Sequence, residues 1–184
     1  MLFDFKRLKS YLKVLVVAFA LLPVIFACEK GDYWINPGKD EAEAPVKAPD
    51  FSLATTGGDT ISLAGLEGRV VVLFFFSHSC APCRTAAVNV EAKLHKPREA
   101  RDDYAVLGIE ASNANLSAIN SFRSVTGATF PLLMNGAFAA NAYETTIDRL
   151  IIVSRTGYIH HKSNLAAGCD METVAEKVAI LLDN

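Results

Sequence analysis

A seven-residue run without one polar side chain, Val70 to Phe76, is followed within four residues by Cys80-Ala81-Pro82-Cys83. An apolar run of this length, bounded by polar residues, reads as a buried central strand. A Cys-X-X-Cys that leaves such a strand and opens a helix is a candidate redox dithiol. Two cysteines three apart on a first helical turn can close a disulfide. The unpaired N–H groups of that turn favour a thiolate. Cys80, at the helix start, is the expected attacking sulfur; Cys83, one turn in and more buried, would resolve the mixed disulfide. Pro82 fits because the first turn has no hydrogen bond for a proline to remove. The redox centre would be the Cys80–Cys83 pair itself, with no separate cofactor and no metal. No second Cys-X-X-Cys or Cys-His cluster exists to complete a zinc site.

The N-terminus reads as an export signal. Lys6, Arg7, Lys9 and Lys13 precede an apolar stretch, Val14 to Ala27, interrupted only by Pro23. That stretch is shorter than the roughly 20 residues of a membrane span and suits a secretory signal. It ends Ile25-Phe26-Ala27-Cys28, which looks like a lipobox, so Cys28 is the expected lipidation site. An uncleaved anchor helix running back to Tyr11 and simple cleavage to a soluble form are the alternatives. The organisation expected is a lipoprotein-type signal at 1–27, a lipid-anchored tether at 28–47 and one folded domain at 48–184. Localisation is then the cell envelope, membrane-anchored, with the domain facing the periplasm or exterior, where disulfides persist. Residues 1–27 hold four Lys/Arg against one Asp, a charge of +3, so the rest of a chain of net charge −2 carries −5. Acidity of that kind argues against nucleic acid as a partner.

Further along, the pattern predicts a short strand at Thr60 to Leu63 and a helix from Cys80 to Leu94, stopping before Pro97. A second strand is expected at Tyr104 to Glu110, and a helix at Leu116 to Val125 with Leu116, Ile119, Phe122 and Arg123 on one face. An extended piece at Phe130 to Met134 and a short helix at Ala137 to Tyr143 follow. Leu150 to Val153 and Tyr158 to His161 form a hairpin about Arg155-Thr156-Gly157. Met171 to Leu182 closes the chain as an amphipathic helix. The order specifies an α/β sandwich with a central mixed sheet and helices on both faces.

With these residues in place, the chain resembles the thioredoxin superfamily, in its TlpA-type, redoxin-like branch of membrane-tethered thiol–disulfide oxidoreductases. Ala48-Pro49-Asp50-Phe51-Ser52-Leu53 is similar to that branch's entry motif, and Gly58 to Leu63 with Leu66 and Gly68 to its first hairpin. Phe75 to Arg84 is similar to the active-site segment; Phe130-Pro131-Leu132-Leu133 and Ala142-Tyr143 are similar to the inserted region. The resemblance implies a thioredoxin-like sandwich, protein disulfides and thiols as substrates, and a membrane electron donor. Three positions depart from the pattern. Ser79 stands where a bulky residue usually precedes the first cysteine. Phe74 stands where a buried polar group usually lies. The slot of the family's cis-proline falls on Asp148, where a trans peptide is expected because a non-proline cis bond costs about 2.5–4 kcal/mol.

Several residues are candidates for tuning the dithiol. Protonated His78 would stabilise a thiolate, unless it is merely a solvated loop residue. Asp148 would raise the thiol pKa and Arg149 would lower it, whichever faces inward. Glu110 ends a strand at the sheet edge where open α/β sheets place ligands, as a proton carrier or as a solvated loop carboxylate. Cys169 is a third redox thiol or a buried small hydrophobe. His160 and His161 read as hairpin surface. Two other functions compete. A peroxiredoxin-type thiol peroxidase would use the hydroxyl of Ser77, three residues before Cys80. A Cu(I)-binding chaperone would use Cys80, Cys83 and His78 as soft ligands.

Overall fold

The strand Val70 to Phe76 is the centre of a five-stranded sheet in a computed structural model that describes residues 44–183. The signal, Cys28 and most of the tether lie outside the described residues. We number the elements in chain order: β1 Ser52–Ala54, β2 Thr60–Ser62, β3 Val70–Phe76, α1 Ala81–Asn89, β4 Tyr104–Glu110, α2 Leu116–Thr126, β5 Leu132–Leu133, α3 Ala137–Ala142, β6 Arg149–Val153, β7 Ile159–Lys162 and α4 Ala167–Asp183. The sheet order is β5-β4-β3-β6-β7. β3, β4 and β5 run parallel, whereas β6 and β7 are antiparallel to their neighbours. β1 and β2 form a separate antiparallel hairpin.

Alternation along β3 sorts the core into two layers. Val70, Val72, Phe74 and Phe76 pack with Cys83, Ile119, Phe122, Val174 and Val178 from α1, α2 and α4. Val71, Leu73 and Phe75 pack with Phe51, Leu53, Ala139 and Tyr143 on the other face. All seven β3 side chains are buried, which is why no polar residue interrupts the run. Gly136 carries a close approach that matters for the site. Its N–H donates to the Glu110 carbonyl at 2.8 Å, and a Cβ there would meet Ile109 Cγ2 at 2.2 Å. Only glycine lets the start of α3 lie against the end of β4.

β3 and β4 fall where the pattern predicts them. β1 was not foreseen: three residues with one buried side chain give no periodicity to read. The helix from Cys80 does not stop before Pro97. α1 continues as a π-helical segment, Val90–His95, and a 3₁₀ turn, Lys96–Arg98, which takes Pro97 in its first turn without losing an internal hydrogen bond. α4 begins four residues earlier than the apolar pattern suggests, because Ala167 is anchored by its N–H to the Asp148 carbonyl at 2.9 Å. Leu116 of α2 and Ile180 of α4 are exposed, and the buried stripes run through Ile119, Phe122 and Thr126, and through Met171, Val174, Val178 and Leu182.

Candidate active site

Cys80 is the N-cap of α1, with extended backbone, and Cys83 sits in the first turn. The Cys83 N–H donates to Cys80 Sγ at 3.1 Å, so one of the turn's unpaired donors is aimed at the outer sulfur. The two cysteines form a disulfide, with Cα atoms 5.2 Å apart. Cys83 is wholly buried in the helical-layer core, and Cys80 is partly reached by solvent. The asymmetry expected of an attacking and a resolving sulfur is therefore built into the turn.

The loop that carries Cys80 is tied to the end of β4 by a polar network. Glu110 is in register with Phe76, the last residue of β3, and is fully buried. Its Oε2 accepts from the N–H groups of Ser112 at 3.1 Å and Ala114 at 2.9 Å. Its Oε1 accepts from the Ser112 hydroxyl and lies 3.5 Å from His78 Nδ1. Ser77 Oγ lies 3.0 Å from Ser112 Oγ and 3.2 Å from Ser79 Oγ, which brings the network to the residue before Cys80. Burial pushes the Glu110 carboxyl up, but the bonds from Ser112, Ala114 and His78 outweigh it and hold it below the ordinary carboxylate value. Arg84 Nη2 donates to the His78 carbonyl at 3.1 Å and closes the loop from the helix side.

Asp148 flanks β3 from the other side. Its N–H donates to the Phe75 carbonyl at 2.8 Å, and it takes a left-handed φ of 60°. Its peptide is trans, as are all those among the described residues. Asp148 is buried, and its Oδ1 has no hydrogen-bond partner. Burial pushes its pKa up against the opposing pull of Arg149 and the Ala167 N–H. Arg149 Nη1 turns instead to the Asp148 carbonyl at 2.8 Å.

Three expectations are corrected here. Glu110 is not a solvated loop carboxylate, because the turn after β4 folds back to donate to it. Cys169 is not a buried hydrophobe. It is exposed on the first turn of α4, and it is not a free thiol in this structure. His161 is not hairpin surface. Its Nε2 lies 2.9 and 3.1 Å from the two oxygens of the buried Asp170, which also accepts from Ser163 Oγ at 2.8 Å. His160, its neighbour, does face solvent. Nothing in the spacing signals the His161–Asp170 pair, since its members lie on β7 and α4.

A family model described as AhpC/TSA matches residues 45–165. The chain belongs to the AhpC/TSA family. Among relatives of this AhpC/TSA chain, the thioredoxin-like protein YneN of Bacillus subtilis is 35% identical over 107 residues, 54% of this chain and 61% of that protein. A Mycobacterium tuberculosis protein named as a candidate peroxiredoxin is 31% identical over 91 residues, 47% of this chain and 54% of that protein. The chain thus spans less than two thirds of the length of these two curated relatives. The solved structure of a candidate protein disulfide isomerase from Bacteroides thetaiotaomicron superposes with TM-score 0.70 at 26% identity, over 76% of this chain and 90% of that one. The fold of this AhpC/TSA chain is thioredoxin-like.

Proposed function

We propose that the protein is a thiol–disulfide oxidoreductase acting through Cys80 and Cys83. The observation that carries this reading is the N-capping disulfide, with its outer sulfur accessible and its inner sulfur buried. Cys80 thiolate attacks a substrate disulfide, a mixed disulfide forms, and Cys83 attacks Cys80 Sγ to release the substrate thiol and regenerate the internal disulfide. No other cofactor is needed for these two exchanges. On the finer points, the reading places the domain, residues 48–184, in the cell envelope on a tether, 28–47, lipidated at Cys28 after removal of 1–27. Protein disulfides are its substrates and a membrane donor supplies its electrons. His78 and the Glu110 network set the geometry of the Cys80 loop. Cys83→Ser is expected to trap mixed disulfides at Cys80 with envelope proteins. Absence of any adduct under conditions where wild type turns over would sink the mechanism.

The family match and the peroxiredoxin-named relative favour a second reading, a thiol peroxidase. Against it, the Ser77 hydroxyl is engaged with Ser79 and Ser112 rather than left for a peroxide. Peroxide consumption that vanishes in Cys80→Ser, without disulfide reductase activity, would establish it instead. The Cu(I) reading has no geometric support: among the described residues no three His, Cys, Asp or Glu side chains cluster, and His78 faces Glu110.

A further inference from the structure

Three serine hydroxyls beside the dithiol loop take no part in the exchange steps, yet the direction of each of their hydrogen bonds is fixed. A hydroxyl has one proton to donate and lone pairs with which to accept. Glu110, held as a carboxylate by the Ser112 and Ala114 N–H groups, only accepts. The Ser112 hydroxyl therefore turns its proton to Glu110 Oε1. Ser77 Oγ, 3.0 Å from Ser112 Oγ, must then donate to it. Ser79 Oγ, 3.2 Å from Ser77 Oγ, must in turn donate to Ser77. The relay runs from Ser79 through Ser77 and Ser112 to Glu110, and each bond polarises the next. Ser77 and Glu110 are buried, whereas Ser79 is exposed and directly precedes Cys80. With its proton turned inward, the Ser79 oxygen presents only lone pairs to whatever approaches Cys80.

We propose that Ser79 Oγ selects peptide disulfides by accepting a backbone N–H next to the substrate sulfur. In a mixed disulfide the Cα of the substrate cysteine stands about 4.4–6.8 Å from that of Cys80. The Cα of Ser79 stands about 3.8 Å from that of Cys80. A peptide N–H beside the substrate sulfur is thus within reach of an exposed side chain at position 79. An N–H that loses water on docking needs an acceptor in its place, and the relay keeps one turned outward. A disulfide without N–H or O–H groups gains nothing from it. The departure at position 79 thereby has a role, because a small hydroxyl side chain puts an acceptor where bulk usually stands. The other polar groups of the loop are engaged. His78 Nδ1 faces Glu110, and the His78 carbonyl accepts from Arg84.

This inference rests on the oxidoreductase reading, and one experiment separates the two. The reduced full-length chain is mixed in single turnover with oxidised glutathione, whose cysteines carry amide N–H groups, or with 4,4′-dithiodipyridine, which has no N–H or O–H. Formation of the Cys80–Cys83 disulfide is followed by mass spectrometry, and the readout is the ratio of the two rate constants, glutathione over dipyridine. The ratio cancels any change in the fraction of Cys80 present as thiolate, which affects both reactions alike. Ser79→Ala is expected to lower the ratio by about three- to tenfold. Ser79→Thr, which keeps the hydroxyl, should retain most of it. Ser112→Ala, which cuts the relay and frees the outer hydroxyls to turn, should lower it by about twofold. A ratio unchanged in Ser79→Ala, or lowered as much in Ser79→Thr, overturns the role of Ser79. A ratio lowered in Ser79→Ala but unchanged in Ser112→Ala overturns the relay. A wild-type chain that neither disulfide converts to the Cys80–Cys83 form overturns the oxidoreductase reading instead.

Discussion

Two buried carboxylates flank the end of β3, one on each side of Phe76, and they are held in opposite ways. Glu110, at the end of β4, accepts from two backbone N–H groups and a hydroxyl and lies near His78. Asp148, just before β6, has a buried oxygen that accepts from nothing. Burial is shared, so it does not explain why Glu110 is held below its ordinary pKa of 4.5 while Asp148 is raised above 3.8. The number of donors decides the sign. A satisfied carboxylate builds the loop that presents Cys80; an unsatisfied one carries the cost of its burial uncompensated.

The contrast can be broken by removing partners. The largest effect is expected at a third buried carboxylate, Asp170, which is satisfied like Glu110 but by a histidine and a serine. His161→Ala leaves that carboxylate with the Ser163 hydroxyl but without its histidine, and urea denaturation should show a loss of about 3 kcal/mol. Phenylalanine at 161 combined with leucine at 170 should restore most of it, because the pair is replaced by apolar packing. Next comes Glu110→Ala, which leaves the Ser112 and Ala114 N–H groups without their acceptor. A loss of about 2–3 kcal/mol is expected by the same measurement, together with a changed rate of Cys80 attack as the loop loosens. A cost near zero would mean that the network does not hold the loop.

The smallest effect sharpens the contrast through its sign. Glu110 has a depressed folded pKa, so it stabilises the fold above pH 4.5, and that stability is lost as pH falls through the folded value. Asp148 has a raised folded pKa, so stability falls as pH rises from 3.8 through the folded value. Asp148→Asn should therefore leave stability unchanged below that window and raise it slightly above, by about 1 kcal/mol or less. Denaturation midpoints measured between pH 3 and 7 should diverge in opposite directions for Asp148→Asn and Glu110→Gln. Parallel curves would show that the two carboxyls are not in different environments.

How much of this was legible in the chain depends on how far apart the interacting residues lie. β3 and β4 are readable because a strand buried on both faces needs a continuous apolar run. The dithiol is readable because its chemistry is local: the cap, the proline and both sulfurs lie within four residues. His78 is a candidate from its place two residues before Cys80, Glu110 from its place at the sheet edge, and Asp148 from its place in the cis-proline slot of the resemblance. Their states were not legible, because each depends on a partner from another element or on lacking one. Glu110 is satisfied by the turn that follows it, and whether that turn folds back is a three-dimensional fact. The His161–Asp170 pair was missed for the same reason, since two polar residues on an apparent hairpin and a helix start look solvated until β7 packs beside α4. The reach of helix past Pro97 depends on a proline placed in the first turn of a new segment, which apolar spacing does not report.

The account's central claim is that Cys80 and Cys83 form a working redox couple. The direct test is equilibration of the full-length chain in dithiothreitol or glutathione buffers, with mass-spectrometric thiol counting at each cysteine. The expected result is a reversible two-electron couple shared by Cys80 and Cys83, following a slope of about 30 mV per decade, and abolished by Cys83→Ser. A potential below the glutathione range would mark an envelope reductase, and one above it a disulfide donor. A pair that stays oxidised or reduced across the whole range, or titrates irreversibly, would contradict the claim and leave the fold as a docking module.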